Sequence, residues 1–220
     1  MTLVLVAHGT RDPAGAVVIH EVARQVRTRL PGVPVRVAYA DVRPPSLRSV
    51  LRSLSGPAVV VPAFLASGYH VRVDVPAQAG PGVTITPPLG PAPALVAAAH
   101  DRLIAAGWTP RDTLVLAAAG SSDPRALADV HRAAVLLAAR TGTPVRIGYA
   151  ATAHPHITDV VSSAPGRVAV CSWLLAPGRF HSVLTTTGAP VISAPIGPHP
   201  KLADLITRRY LESRCYSNAA

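Results

Sequence analysis

The chain is short of cysteine, aromatic residues and charge. Only Cys171 and Cys215 occur in 220 residues. Neither belongs to a C-x-x-C pair, which excludes a disulfide framework and a thiolate metal centre and points to a reducing compartment. Cys171 ends an apolar run and reads as a buried, inert thiol. Two Phe and two Trp are too few for base-stacking platforms, and no zinc-finger spacing or basic-aromatic block accompanies them, so nucleic acid is not expected as a partner. No apolar run reaches membrane-spanning length. The stretch from Met1 to Ala7 lacks the basic region and length of a signal peptide. The expectation is a cytoplasmic protein without a membrane partner. Glycine-rich phosphate motifs are missing too, so a nucleotide cofactor is not indicated.

What is present is an apolar, basic chain. With 49% hydrophobic residues it can fill two modest cores. The formal charge of +10 divides evenly: residues 1–110 carry 10 Arg against 5 acids and residues 111–220 carry 11 Arg plus Lys against 6, or +5 each. Charge spread in this way suits a small anionic substrate better than a nucleic acid.

The sequence repeats itself. Val6-Ala7-His8-Gly9-Thr10-Arg11-Asp12-Pro13 returns as Leu116-Ala117-Ala118-Ala119-Gly120-Ser121-Ser122-Asp123-Pro124, Pro34-Val35-Arg36-Val37 as Pro144-Val145-Arg146-Ile147, and Pro88-Leu89-Gly90-Pro91 as Pro195-Ile196-Gly197-Pro198. Such a domain-length repeat means two copies of one fold. The expected division is an N-terminal lobe, residues 1–110, carrying the metal site, and a degenerate C-terminal repeat lobe, residues 111–220, with a hinge near Gly107 to Asp112. In each copy continuous β-branched runs alternate with helical stretches, which predicts an α/β fold with a mostly parallel four-stranded sheet per lobe, flanked by helices. Predicted strands are Leu3 to Ala7, Val35 to Ala40, Val59 to Val61 and Val83 to Thr86, repeated at Thr113 to Ala117, Val145 to Ala150, Val168 to Trp173 and Val191 to Ala194. The helix after the first strand is predicted from Ala14 to Leu30, and the chain end from Arg214 is expected to fray.

Ligands of open parallel sheets bind beyond the carboxyl ends of the strands. His8 follows the first strand, Asp41 the second, and His70 lies past the third in what reads as a loop. Two imidazoles and a carboxylate on one rim suit divalent cobalt, iron, nickel or zinc, and neutral imidazole also accepts protons. The second copy has Ala119 and Ala151 at the first two positions, and only His181 answers His70. His154, His156 and His199 lack fixed ligand spacing; a cap at a turn for His8 and a plain loop position for His70 remain open alternatives on the residues alone.

A strand ending in His-Gly-Thr-Arg-Asp-Pro, then Ala-Tyr-Ala-Asp, then Pro-Ala-Phe-Leu-Ala-Ser-Gly-Tyr-His-Val-Arg-Val-Asp-Val-Pro resembles the class II tetrapyrrole chelatases of the CbiX and SirB type. The resemblance spans the chain and implies two tandem chelatase-like (flavodoxin-like) lobes with a cleft between them. It implies a monomeric lyase that inserts cobalt or iron into sirohydrochlorin for sirohaem or cobalamin biosynthesis, with no cofactor beyond the metal substrate. By the same resemblance His8 and His70 are the metal-handling histidines and Asp41 the strand-end acid, where the family more often has Glu. Arg11, Arg43, Arg72 and Arg179 are then candidates for binding the carboxylates of the macrocycle. The alternatives are a metal or tetrapyrrole carrier without turnover and a histidine phosphatase, the latter disfavoured by Ala7 standing where that family has Arg.

Overall fold

The computed structural model describes residues 1–217. The chain runs β1 (Thr2–Ala7), α1 (Pro13–Arg29), β2 (Val35–Tyr39), α2 (Leu47–Arg52), β3 (Ala58–Pro62), a π-helical turn (His70–Asp74) continuing into α3 (Val75–Ala79), β4 (Thr84–Ile85) and α4 (Pro93–Ala105). It then repeats the pattern as β5 (Thr113–Ala118), α5 (Pro124–Thr141), β6 (Val145–Tyr149), α6 (Ile157–Ser162), β7 (Val168–Trp173), α7 (Arg179–Thr185), β8 (Val191–Ile192) and α8 (Pro200–Ser217). All eight expected strands form, within a residue or two of their expected ends. Two expectations need correction. His70 opens a helical segment, not a loop, and α8 stays helical past Arg214 to Ser217; residues 218–220 lie outside the described residues.

Two all-parallel sheets form, ordered β2-β1-β3-β4 and β6-β5-β7-β8. In the first, Leu5 pairs with Val37 on one side and Val61 on the other. Because β1 is central and covered on both faces, Leu3, Val4, Leu5 and Val6 are all fully buried, which is why it reads as an unbroken apolar run. The helix after β1 starts where the sequence signals it. The Asp12 carboxylate accepts the Ala14 N–H and Pro13 fills the first turn, and Ile19, Val22, Ala23 and Val26 form the buried stripe. Asp123 and Pro124 do the same for α5.

Packing divides the chain differently from the sequence repeat. One compact unit is Met1–Leu89 joined by the chain from Pro198 onward; the other is Gly90–Gly197. The crossings fall within the two repeated proline–glycine segments, and the expected hinge at Gly107 to Asp112 lies inside the second unit. In the first unit α8 packs on α1: Gln25 Nε2–H donates to the Pro198 carbonyl at 2.8 Å, Arg29 pairs with Asp204, and the buried Tyr210 donates its hydroxyl to the Met1 carbonyl at 2.8 Å. In the second unit α4 lies against α5 and β7, with Arg102 Nε–H donating to the Ile196 carbonyl at 3.0 Å. Cys171 sits in this interior, fully buried, its thiol pushed up to about 12 by desolvation; it is inert, as expected.

Asp112 is clamped in the second unit, its side chain only 2% exposed. Arg167 Nη1 donates to both carboxylate oxygens at 2.9 and 2.8 Å, and the Thr109 N–H adds a bond at 2.8 Å. Burial works to raise this carboxyl, but the Thr109 and Arg167 donors outweigh it and hold it below the usual range. A depressed folded-state value stabilises the fold above the unfolded value of about 3.9 and loses that contribution as pH falls through the folded one. Asp112→Asn should therefore cost about 2 kcal/mol at neutral pH, and urea unfolding of the two proteins should converge below about pH 4; a gap that stays constant with pH would show that the Asp112 charge contributes nothing.

Candidate active site

The strand order makes the gap between β1 and β3 the point where connections leave in opposite directions, the usual ligand position in open α/β sheets. His8 leaves β1 and His70 follows β3. The two half-buried imidazoles meet there, with Nε2 atoms 3.0 Å apart and ring centroids 4.4 Å apart at 86°. Phe64 presents its ring near His8, with centroids 6.4 Å apart.

Hydrogen bonding fixes what the facing nitrogens are. His70 Nδ1 lies 2.6 Å from Asp74 Oδ2, and because an ionised carboxylate only accepts, Nδ1 carries the proton. His8 Nδ1 lies 3.0 Å from the Gly9 carbonyl, which requires a proton there too. Both Nε2 atoms then present lone pairs to each other. The gap between them has room for a single bridging cation. Two nitrogens each roughly 2.0–2.1 Å from one ion stand about 3 Å apart in adjacent positions at a right angle, so the pair has the spacing of two cis ligands.

Asp74 is the residue that sequence reasoning missed. The run Val71-Arg72-Val73-Asp74-Val75 alternates like a strand, yet only Val71 and Val75 are buried while Val73 is 42% exposed. That spacing of four was the available helical signal, and it puts Asp74 one turn beyond His70. Asp41, in contrast, orients neither imidazole. Its backbone N–H donates to the His8 carbonyl at 3.0 Å, but its exposed carboxylate has no hydrogen bond to either ring, and no three of His, Cys, Asp and Glu form a metal cluster among the described residues.

The candidate arginines fall in different settings. Arg43 is fixed: Nη1–H donates to the Thr10 carbonyl at 3.3 Å and the guanidinium stacks 5.4 Å from the Tyr39 ring centroid. A cleft of about 780 Å³ opens beside it, lined by Asp41, Arg48 and Gln78 among others, though not by His8 or His70. Burial raises the Tyr39 phenol, while the Arg43 charge acts against the shift. Arg11 is exposed before α1, Arg72 is exposed two residues past His70, and Arg179 is exposed at the start of α7 in the second unit.

The second copy keeps this architecture without its imidazoles. The Ala151 N–H donates to the Ala119 carbonyl at 3.0 Å, as Asp41 does to His8, and His181 Nε2 lies 3.4 Å from the Ser193 carbonyl with no second imidazole beside it. Known proteins can now be set beside this geometry. The CbiX family model matches residues 2–106 and again 113–213, once for each copy. The chain belongs to the CbiX family.

Within the CbiX family and its neighbours, the chain is 30% identical over 78 residues to a sirohydrochlorin cobaltochelatase of Methanosarcina barkeri, a match covering 34% of this chain and 60% of that protein. A protein of the same name from Methanothermobacter thermautotrophicus is 35% identical over 78 residues, 34% of this chain and 54% of that one. The chain thus spans less than two thirds of the curated relatives it matches. Among solved structures, SirB from Bacillus subtilis with Fe3+ superposes with a TM-score of 0.79 at 20% identity, covering 100% of this chain and 98% of SirB. A CbiX described as the terminal enzyme for biosynthesis of siroheme in denitrifying bacteria gives 0.74 at 23% identity, covering 96% and 99%. At these identities the likeness establishes the fold.

Gly9 holds His8 in place. Its φ is +99°, and a Cβ there would collide with the Asp41 carbonyl. Gly9→Ala should destabilise by roughly 2–4 kcal/mol, whereas Gly32→Ala, at φ +80° but with open space around it, should cost about 1 kcal/mol. Thermal melts of both variants check this; equal losses would mean that the approach of the two turns is not limiting.

Proposed function

We propose that this protein is a chelatase that inserts a divalent metal, cobalt or iron, into sirohydrochlorin. The observation that carries the reading is the His8–His70 pair, with facing Nε2 atoms 3.0 Å apart and Asp74 behind one ring. Family membership and the relatives named sirohydrochlorin cobaltochelatase support the choice of substrate. The metal is a substrate here. It lodges between the two Nε2 atoms, and those nitrogens hold it while leaving its other coordination positions open.

The reaction releases two pyrrole NH protons as the metal enters the ring. As His8 and His70 hand the ion over, their Nε2 lone pairs become free to accept these protons and pass them to water. Asp74 holds Nδ1–H of His70 throughout and stabilises the imidazolium that forms. Asp41, one backbone bond from His8, is read as an accessory carboxylate that draws in the cation. Arg43, held by Thr10 and Tyr39, is pre-organised for a macrocycle carboxylate, with Arg11 and Arg72 as further anchors.

An anaerobic absorbance assay with sirohydrochlorin and Co2+ or Fe2+ tests the reading against the uncatalysed rate. His8→Ala and His70→Ala should each lower kcat about 100-fold or more, and His181→Ala should leave it within about twofold. Asp74→Asn should lower kcat about 10- to 100-fold, while Asp41→Ala should chiefly raise the KM for metal. Equal losses for His181→Ala and His8→Ala would overturn the site, and a protein that binds both substrates without turnover would be a carrier.

Proton and metal compete for the same lone pairs, so metal affinity should fall as pH is lowered. Substrate steering separates from this chemistry. Arg43→Ala and added salt should raise the KM for sirohydrochlorin and spare kcat, because the contact is made equally in bound substrate and transition state. An unaltered KM under both treatments would remove the arginine from recognition.

A further inference from the structure

The chain has nine histidines, and among the described residues a second pair of them, besides His8 and His70, brings its rings together. His154 and His156 flank Pro155 at the start of α6, with ring centroids 4.3 Å apart and planes at 71°. The separation nearly equals the 4.4 Å of the first pair. Imidazoles bound cis to one ion, with metal–nitrogen distances of roughly 2.0–2.1 Å, have centroids about 4.5 Å apart, so the ring separation of this pair is compatible with chelation once rotation of the rings turns a nitrogen of each toward the ion.

Backbone contacts hold the loop that carries them. The Tyr149 N–H donates to the Pro155 carbonyl at 3.0 Å, the His156 carbonyl accepts from the Asp159 and Val160 N–H groups at 3.1 Å each, and Ile157 beside it is 1% exposed. The rings themselves are uncommitted. No hydrogen bond to a protein atom uses a nitrogen of either imidazole, whereas His100 accepts from Arg140 and His199 from the Lys201 N–H. His154 is exposed and His156 half-buried. In the first copy these positions are Pro44 and Ser46, so the pair is peculiar to the copy that lacks the other one.

We infer that His154 and His156 form a second, open site for a late first-row divalent metal, carried by the second unit and independent of His8 and His70. Imidazole donors favour Ni2+, Cu2+ and Zn2+ over Co2+, and Co2+ over Fe2+. With no third protein donor among the described residues, water fills the remaining positions and the ion stays exchangeable.

The test is calorimetric titration of Ni2+ and Co2+ into untagged, chelator-stripped protein. Two proteins are compared: His8→Ala/His70→Ala, and the same protein also carrying His154→Gln/His156→Gln. The first should bind one equivalent, Ni2+ more tightly than Co2+. The second should bind at least tenfold more weakly, with a nearly unchanged thermal midpoint because neither imidazole is buried or hydrogen-bonded to protein through a ring nitrogen. Coincident titrations of the two proteins, or no ion bound by the first, would overturn the inference. No macrocycle is present in this measurement, so its outcome is separate from that of the chelatase assay.

Discussion

The site rests on the close approach of two turns. The Ala40 N–H donates to the Ala7 carbonyl at 2.8 Å and the Asp41 N–H to the His8 carbonyl at 3.0 Å, extending the β1–β2 ladder past the ends of both strands. Only a residue without a side chain fits at position 9, since the Asp41 carbonyl occupies the space a Cβ would need. With its carbonyl tied to the turn after β2, His8 has few ways to present its ring, and the one observed aims Nε2 at His70, in the helical segment after β3. The pairing of the two imidazoles depends on backbone placement, because a single added atom at Gly9 would move one ring relative to the other.

The second copy separates what the scaffold demands from what the chemistry demands. Gly120 meets the Ala151 carbonyl as Gly9 meets that of Asp41, and Val42 and Thr152 share a left-handed backbone, at φ 69° and 62°. A β-branched residue there ordinarily suggests functional strain. Its recurrence where the imidazoles are absent assigns it to the turn that both copies need. At these turns the copies differ in side chains, with His8 against Ala119, Asp41 against Ala151 and Arg43 against Ala153, and after the third strand they differ in backbone too, where the π-helical turn at His70–Asp74 is answered by a plain α-helix, Arg179–Thr185. Duplication has kept the turns after the first two strands and changed their side chains.

The same logic explains what could be read in advance. Strands buried on both faces leave continuous apolar runs, and Asp12-Pro13 and Asp123-Pro124 mark helix starts through local chemistry, so sheets and long helices were legible. His8 and His70 could be placed on one rim because the topology collects residues from strand ends. Asp74 escaped because Val71, Val73 and Val75 alternate like a strand; a helix of a few turns has too few buried positions to impose its own period. Asp41 was expected at the site from its strand-end position and the family resemblance, and neither specifies where a carboxylate points. The partition into units was hidden for another reason: sequence repetition records duplication, while helix packing is decided by which apolar face is nearest once the chain folds.

That partition makes the second unit an insertion. Residues 90–197 are continuous, whereas the first unit is assembled from residues 1–89 and the chain from Pro198 onward. During synthesis the second unit has all of its sequence before the first unit receives α8. Until then the face of α1 that meets Asp204, and the Met1 carbonyl that accepts from Tyr210, lack their partners. The unit that holds the His8–His70 pair is therefore the last to receive all of its sequence.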